Sequence, residues 1–334
     1  PNCRIASKIA AMLSRTSVWR NFDFWLLAAV ILLTGYGILM IRSAVTGAPA
    51  FEPLPNQQIF FTVIGLIVLF AVAAIDYRYL TSSHWYIYAG VIASLVLVIV
   101  AGQLGNEARR WIQITPTFRI QPSEFGRILI AVTFAQFLAT RQHLIGRFSN
   151  TLLSLVYIGI PVFLIFLQPD LGMSILFMFV WFVMIWAAGL PVSHFAVVAA
   201  VGILGIALMY PFLADYQQER VTTFLNPAEA SEDQLFNIEQ AEISVGSGGL
   251  WGKGYMQGTQ SQLGFLRVQH TDFIFSTITE EMGLVFGSLV VIGLLGFILM
   301  RILRAAVLST DFAGKLICIG IAGILFFQTI VSIG

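Results

Sequence analysis

The chain has 334 residues, of which 58% are hydrophobic and only 10% charged, with a formal net charge of +1, whereas a soluble domain carries roughly 25% charged residues. A mean hydropathy of +0.86 excludes water as the solvent for most of the surface, and no nucleic-acid partner is expected. A bilayer core of about 30 Å takes about 20 apolar residues per helical span, so uncharged runs are the elements to count.

Residues 1–21 come first and form a basic segment with Arg4, Lys8, Arg15 and Arg20. They lack a cleavable signal pattern and are expected on the inner leaflet as an electrostatic anchor. Nine apolar runs follow, near 22–42, 57–75, 84–101, 122–140, 150–168, 171–189, 193–212, 272–300 and 313–333. Stretches such as LLAAVILLTGYGILMI show no alternation of polarity, which excludes a β-barrel and leaves helices to satisfy the backbone in lipid. The expectation is an all-α, polytopic membrane protein in which residues 22–334 make a single transmembrane domain. The last run ends the chain without a polar flank, so a tenth helix is expected beyond it.

Lys and Arg in short loops favour the cytoplasm. Nine spans with a basic start place ten of the 18 inside, and seven of the eight outside cluster around two segments. Residues 214–270 are one of these, a long polar extracellular segment rich in Gln, Glu and Gly. The other, 105–127, mixes Arg109, Arg110, Arg119 and Arg127 with Trp111, Phe118 and Phe125 and reads as an amphipathic interfacial segment. Cys3 and Cys318 are not expected to pair, and the four His residues lack ligand spacing.

The stretch 244–283 carries the most chemistry. GSGGLWGKG packs five glycines into nine residues, which permits close approach of a ligand with Lys253 as a substrate contact; on composition alone a flexible surface loop is the better reading, since no P-loop pattern is present. If a helix opens at Asp272, then Asp272, Ser276 and Glu280 share one stripe. A carboxylate at the bilayer centre costs at least ~2.5 kcal/mol, so Glu280 and its neighbour Glu281 must face a cavity, a cation or a proton. Capping alone would explain Asp272. Glu124 and Arg127, three apart, suit either a local ion pair or a site for an anionic amphiphile, with Arg109 and Arg110 supplying further positive charge; Arg suits phosphate oxygens. Asp170, in LQPDLG, reads as a turn residue.

Four blocks resemble the SEDS family (shape, elongation, division and sporulation) of cell-wall glycosyltransferases, its elongation branch RodA more than its division branch FtsW. They are ARRWIQI with FRIQPSEFGR, LQPDLG, GSGGLWGKGYMQGTQSQLGFL and HTDFIFSTITEEMG, in the family's order. The resemblance implies polymerisation of lipid II into β-1,4 glycan for cell elongation and shape, on the outer face of the bacterial plasma membrane, with an undecaprenyl pyrophosphate leaving group and a class B penicillin-binding protein as partner. It maps the family's essential Asp onto Asp272 and its PSE acid onto Glu124. Arg127 stands where the family has Lys, and Arg267 and Val268 where it has Pro-Glu, which shifts weight onto Asp272.

The expected mechanism is a single inverting displacement. Asp272 acts as base on the acceptor hydroxyl, the Arg residues of 109–127 steady the departing pyrophosphate, and Glu280 positions Asp272. No cofactor is certain, the metal is unknown, and a divalent cation such as Mg2+ or Mn2+ is the one auxiliary this chemistry would use. The rival functions are a lipid-linked precursor transporter or flippase, and a non-enzymatic scaffold for a penicillin-binding protein. Transport would spread polar residues through the depth of several helices, whereas here they concentrate on one side.

Overall fold

The computed structural model describes residues 22–46, 51–101, 103–105, 108–115, 118–209, 218, 232–262 and 271–333. In order these form α1 (Phe24–Ala44), α2 (Leu54–Ala73), α3 (Tyr77–Ser82), α4 (His84–Ala101), β1 (Gln103–Gly105), β2 (Ala108–Thr115), β3 (Phe118–Ile120), α5 (Pro122–Thr140), α6 (Phe148–Phe166), α7 (Leu171–Ala187) and α8 (Val192–Met209). There follow α9 (Glu232–Gly248), α10 (Thr259–Gln262), α11 (Ile274–Gly283), a π turn (Leu284–Ser288), α12 (Leu289–Leu308) and α13 (Phe312–Ile333). Every apolar run expected to span is helical, and the chain is a polytopic helical membrane protein. Among the described residues five helical stretches are long and apolar enough by themselves to cross: Phe24–Ala44, Leu54–Ala73, Phe148–Phe166, Ile274–Leu308 and Phe312–Ile333.

Three expectations are corrected. The fold is not purely helical, because the segment read as amphipathic and interfacial contains a three-stranded antiparallel sheet in the order β1-β2-β3, with Gln113 opposite Arg119 and Ile112 opposite Ile120. The β-branched and aromatic residues of WIQIT and FRI favour a pleated surface. The polar segment 214–270 is not simply a loop, since Glu232–Gly248 is a 17-residue helix. The run 272–300 is not one uninterrupted helix. Gly283 breaks it at φ 75°, ψ −175°, a backbone region open essentially to glycine alone, and the π turn follows.

The chain divides into two compact units. The first holds α1, α2, α9, α10, α11, the π turn and α12 as far as Arg301; the second runs from Tyr77 through α8 and resumes at Ile302 to take in α13.

In the first unit α1 and the α11–α12 stretch run antiparallel, tied at both ends. Ser43 Oγ donates to Glu281 at one end, and Arg301 bonds Asp23 at the other, Nη2 to Oδ2 at 2.7 Å. The two ties are twenty residues apart along each partner, about 30 Å at a helical rise of ~1.5 Å, which matches the hydrocarbon core. Alongside the ties Met40, Ile278 and Val291 form a buried apolar cluster, and Tyr36 Oη donates to the Phe286 carbonyl at 3.1 Å. That carbonyl sits in the π turn, where the helical ladder is irregular and leaves an acceptor to outside donors. Asp23 caps α1 by accepting from Leu26 N at 3.0 Å.

In the second unit α5 is the central element. Ile130, Ala131, Phe134, Phe137 and Leu138 are buried with Leu95, Ile158, Phe177, Met184 and Leu316 from surrounding helices. A helix enclosed by protein need not be uniformly apolar, which is why α5 carries Glu124 and Arg127 at its start. Asp170 caps α7 through Met173 N at 3.2 Å and also accepts from Gln121 Nε2 at 3.1 Å, so the turn residue fastens the approach to α5.

Candidate functional site

The expected site residues fall into the two units. In the first, glycine decides the geometry. Where α11 stops at Gly283, Glu280 O and Glu281 O lose the donors that a continuing helix would supply from Leu284 and Val285. Lys253 N and Gly254 N take those places, at 3.0 and 2.9 Å, while Leu284 N and Val285 N turn to Gly249 O and Leu250 O at 2.9 and 3.1 Å. Two helical hydrogen bonds are thus exchanged for four that stitch α11 to the glycine-rich segment.

Such a seam requires backbone against backbone. A Cβ on Gly252 would collide with the Glu281 carbonyl, and one on Gly248 with the Thr279 carbonyl. Gly252 also has φ +80°. The glycines expected to admit a ligand therefore admit the chain's own α11.

The side chains of the seam are as closely fitted. Glu280 and Glu281 are both 0% exposed. Glu280 Oε1 accepts from Lys253 Nζ at 2.8 Å, Gln260 N at 2.8 Å and Thr259 Oγ1 at 3.2 Å. Glu281 accepts from Ser43 Oγ at 2.6 and 2.7 Å and from Met256 N at 3.1 Å. Of the three ways to keep an acid inside a span, Glu280 uses a cation together with neutral donors, and Glu281 uses a hydroxyl and a backbone N–H. Lys253 faces Glu280, with 24% of its side chain exposed.

Asp272 differs from the stripe expected of it. The helix begins at Ile274 with Phe273 at the cap position and no side-chain cap bond, so Asp272 sits in the preceding turn and does not cap it. It is exposed, while Ser276 and Glu280 further along are buried. An acid with neither burial nor a capping duty lies open to a reacting group.

In the second unit Arg127 Nη2 pairs with Glu124 Oε2 at 2.7 Å, the side chains being 17% and 41% exposed. The pair leaves donors over. Arg127 Nε and Nη1 are buried with no hydrogen-bond partner among the described residues, and so is Ser123 Oγ one turn earlier on the same face of α5. Buried polar atoms are almost always satisfied, and an exception points to a missing water, ion or ligand. Arg109 and Arg110 stand on β2, and Arg119 on β3 is exposed. Sequence reasoning passed over Ser123 and Ser43. Ser123 was signalled by its position four before Arg127, but Ser43 lies 238 residues from Glu281 and carried no local signal. Among the described residues no group of three or more His, Cys, Asp or Glu side chains is placed to hold a metal ion.

The chain is 34% identical over 315 residues to the peptidoglycan glycosyltransferase MrdB of Escherichia coli K12, covering 94% of this chain and 84% of that protein. It is 32% identical over 322 residues to stage V sporulation protein E of Bacillus subtilis, covering 93% and 86%. Among solved structures, one of a peptidoglycan synthase complex, concerned with coordination of polymerization and crosslinking, superposes with TM-score 0.76 at 28% identity, covering 94% of this chain and 87% of that one. The rod shape determining protein RodA of Thermus thermophilus superposes with TM-score 0.69 at 26% identity, covering 95% and 85%. Residues 24–334 match the FtsW, RodA and SpoVE family, described as cell cycle protein, and the chain belongs to that family.

Proposed function

We infer that the chain is a peptidoglycan glycosyltransferase, a lipid II polymerase of the RodA kind acting in cell elongation and shape. The observation that carries this is the identity to relatives named as peptidoglycan glycosyltransferases over more than nine-tenths of the chain. The exposed Asp272 carboxylate supports it, because the reaction needs a base open to an acceptor.

In this scheme the acceptor sugar's 4-hydroxyl attacks the anomeric carbon of the donor. A C1–O4 bond forms, the bond from C1 to the pyrophosphate oxygen breaks, and the hydroxyl proton passes to Asp272. The electron pair leaves on the lipid pyrophosphate. General-base assistance of this kind contributes about 10²- to 10⁴-fold. The donor linkage is α and the product β, so one displacement inverts the centre without a covalent glycosyl-enzyme. Arg127 and Ser123, whose buried donors have no partner among the described residues, would receive the pyrophosphate together with the positive charge of the arginines of the β-sheet, since an anion with many acceptor oxygens suits both.

Within the same proposal the chain crosses the bacterial plasma membrane nine times with its site facing outward. It works with a class B penicillin-binding protein that crosslinks the new strand, which the peptidoglycan synthase complex among its structural relatives favours. Purified chain reconstituted with labelled lipid II tests the activity directly. Glycan of increasing length is the expected product, and movement of lipid II between leaflets without any polymer would replace the enzyme with a transporter.

A further inference from the structure

We propose that Lys253, Glu280, Glu281 and Ser43 form a buried clamp that fixes where the Asp272 turn is held, so that Lys253 acts on the reaction through Glu280 and not by touching substrate. The proposal rests on the polymerase function inferred above. It assigns a positioning role to a lysine that the sequence alone offers as a substrate contact.

The argument begins with what an exposed acid needs. Asp272 stands just before α11 and is not fastened by a cap, so its location follows from where α11 begins. α11 is ten residues long and is set off from α12 by the break at Gly283. Its position is therefore set by what grips its other end.

That grip comes from opposite sides. Lys253 Nζ, Thr259 Oγ1 and Gln260 N close on Glu280 from the glycine-rich segment and α10, and Ser43 closes on Glu281 from α1. The four seam hydrogen bonds fix register as well as position, since Lys253 N and Gly254 N meet consecutive carbonyls. A shift of α11 by one residue would bring Glu281 or Thr279 to the lysine and Met282 or Glu280 to Ser43, and in either direction one buried carboxylate would be stranded. The clamp thus admits one placement of the helix, and the turn at 271–273 inherits it.

Lys253 is also poorly suited to phosphate in this arrangement. Its ammonium already donates to Glu280 Oε1 at 2.8 Å and to Thr259 Oγ1 at 2.7 Å. Drawing it toward an anion would leave Glu280, which is fully buried, without its cation.

The test uses full-length chain in a membrane mimic, labelled lipid II as substrate and inorganic pyrophosphate as competitor, with all rates expressed per folded protein. A misplacement of ~1 Å near the reacting atoms costs on the order of 10²-fold, so Lys253→Met is expected to lower kcat roughly 10-fold or more. Its KM and its inhibition by pyrophosphate should equal those of the wild type. The double variant Lys253→Met with Glu280→Gln should recover most of the lost kcat, because it removes the stranded charge that pulls the seam apart. Ser43→Ala should show the same kcat-only loss from the opposite side.

A raised KM or weakened pyrophosphate inhibition in Lys253→Met would make Lys253 a substrate ligand and overturn the clamp. So would an unchanged kcat, or a double variant no better than the single. If Lys253→Met does not fold, Ser43→Ala and Thr259→Val carry the decision, and normal kcat in both overturns the proposal. Asp272→Asn separates this from the underlying function. If the clamp alone is wrong, Asp272→Asn is inactive while Lys253→Met polymerises normally; if the function is wrong, the wild type itself makes no glycan and the proposal falls with it.

Discussion

Each unit buries charge, and the two treat it in opposite ways. In the first, Glu280 and Glu281 are enclosed completely and their oxygens are met by an ammonium, two hydroxyls and two backbone N–H groups. In the second, Arg127 spends one nitrogen on Glu124 and keeps two others buried without a partner among the described residues, beside a serine hydroxyl in the same condition. Satisfied buried charge rigidifies, whereas unsatisfied buried donors remain costly until a ligand arrives. The comparison assigns scaffolding to the first set and reception of an anion to the second, with Asp272 as the exposed group that the scaffold presents.

The strongest way to break this division is at Asp272. Asp272→Asn keeps the volume and removes the base, and a fall of about 10²-fold or more in polymerisation is expected, with normal membrane insertion. Polymer yield near that of the wild type would remove Asp272 from the chemistry.

Arg127 gives the next largest effect. A charged hydrogen bond is worth about 1.5–3 kcal/mol, so Arg127→Met should lower kcat/KM by roughly 10- to 100-fold. Arg127→Lys keeps the cation and should retain most activity. If Arg127 serves only its exposed partner Glu124, a pair worth ~0–1 kcal/mol, Met will be tolerated and the receptive set loses its main member.

Ser123→Ala sharpens the contrast from an unusual direction. Deleting a buried hydroxyl that has no partner should leave thermal stability equal or slightly higher, the desolvation cost of such a group being about 1–3 kcal/mol. The KM for lipid II should meanwhile rise a few-fold. A loss of stability would mean that the hydroxyl is already satisfied in the resting protein.

The smallest effect concerns Asp23. Burial raises its carboxyl, but the Leu26 N–H, the Arg301 guanidinium and the Trp25 N–H outweigh burial and bring it below its ordinary 3.8. A group depressed on folding stabilises above its unfolded value and loses that contribution as pH falls through its folded value. Asp23→Asn should therefore cost about 1 kcal/mol at neutral pH, and the difference from wild type should begin to shrink as pH falls past the ordinary 3.8 and vanish only below the lowered folded value, as thermal melts across pH will show. A difference that persists at low pH would trace to the α1 cap alone.

The helices were legible in the sequence because a span is a local property. Twenty apolar residues announce themselves, and even α5, with Glu124 and Arg127 in its first turns, was recognisable from the run that follows. The motif blocks likewise brought Asp272, Glu124 and Arg127 to notice. What escaped was structure made between distant segments. Ser43 had no reason to stand out in α1, and the break at Gly283 looked like one glycine among many in an apolar helix. The glycines at 248 and 252 were noticed for the right property, close approach, but the sequence does not say what approaches. The β-sheet was missed for another reason: its three arginines drew attention to charge, while the alternation in WIQIT that marks a strand went unweighed.

The two ties between α1 and its antiparallel partner have a mechanical consequence. With Ser43–Glu281 at one end and Asp23–Arg301 at the other, neither helix can slide along the other without breaking a polar bond in or beside hydrocarbon. The pair then behaves as a rod of fixed length. Where the surrounding bilayer is thinner than the rod, shear is closed to it and tilting becomes the soft response. Lipid composition would thus reach this unit as an angle, with the spacing of the two ties serving as its gauge.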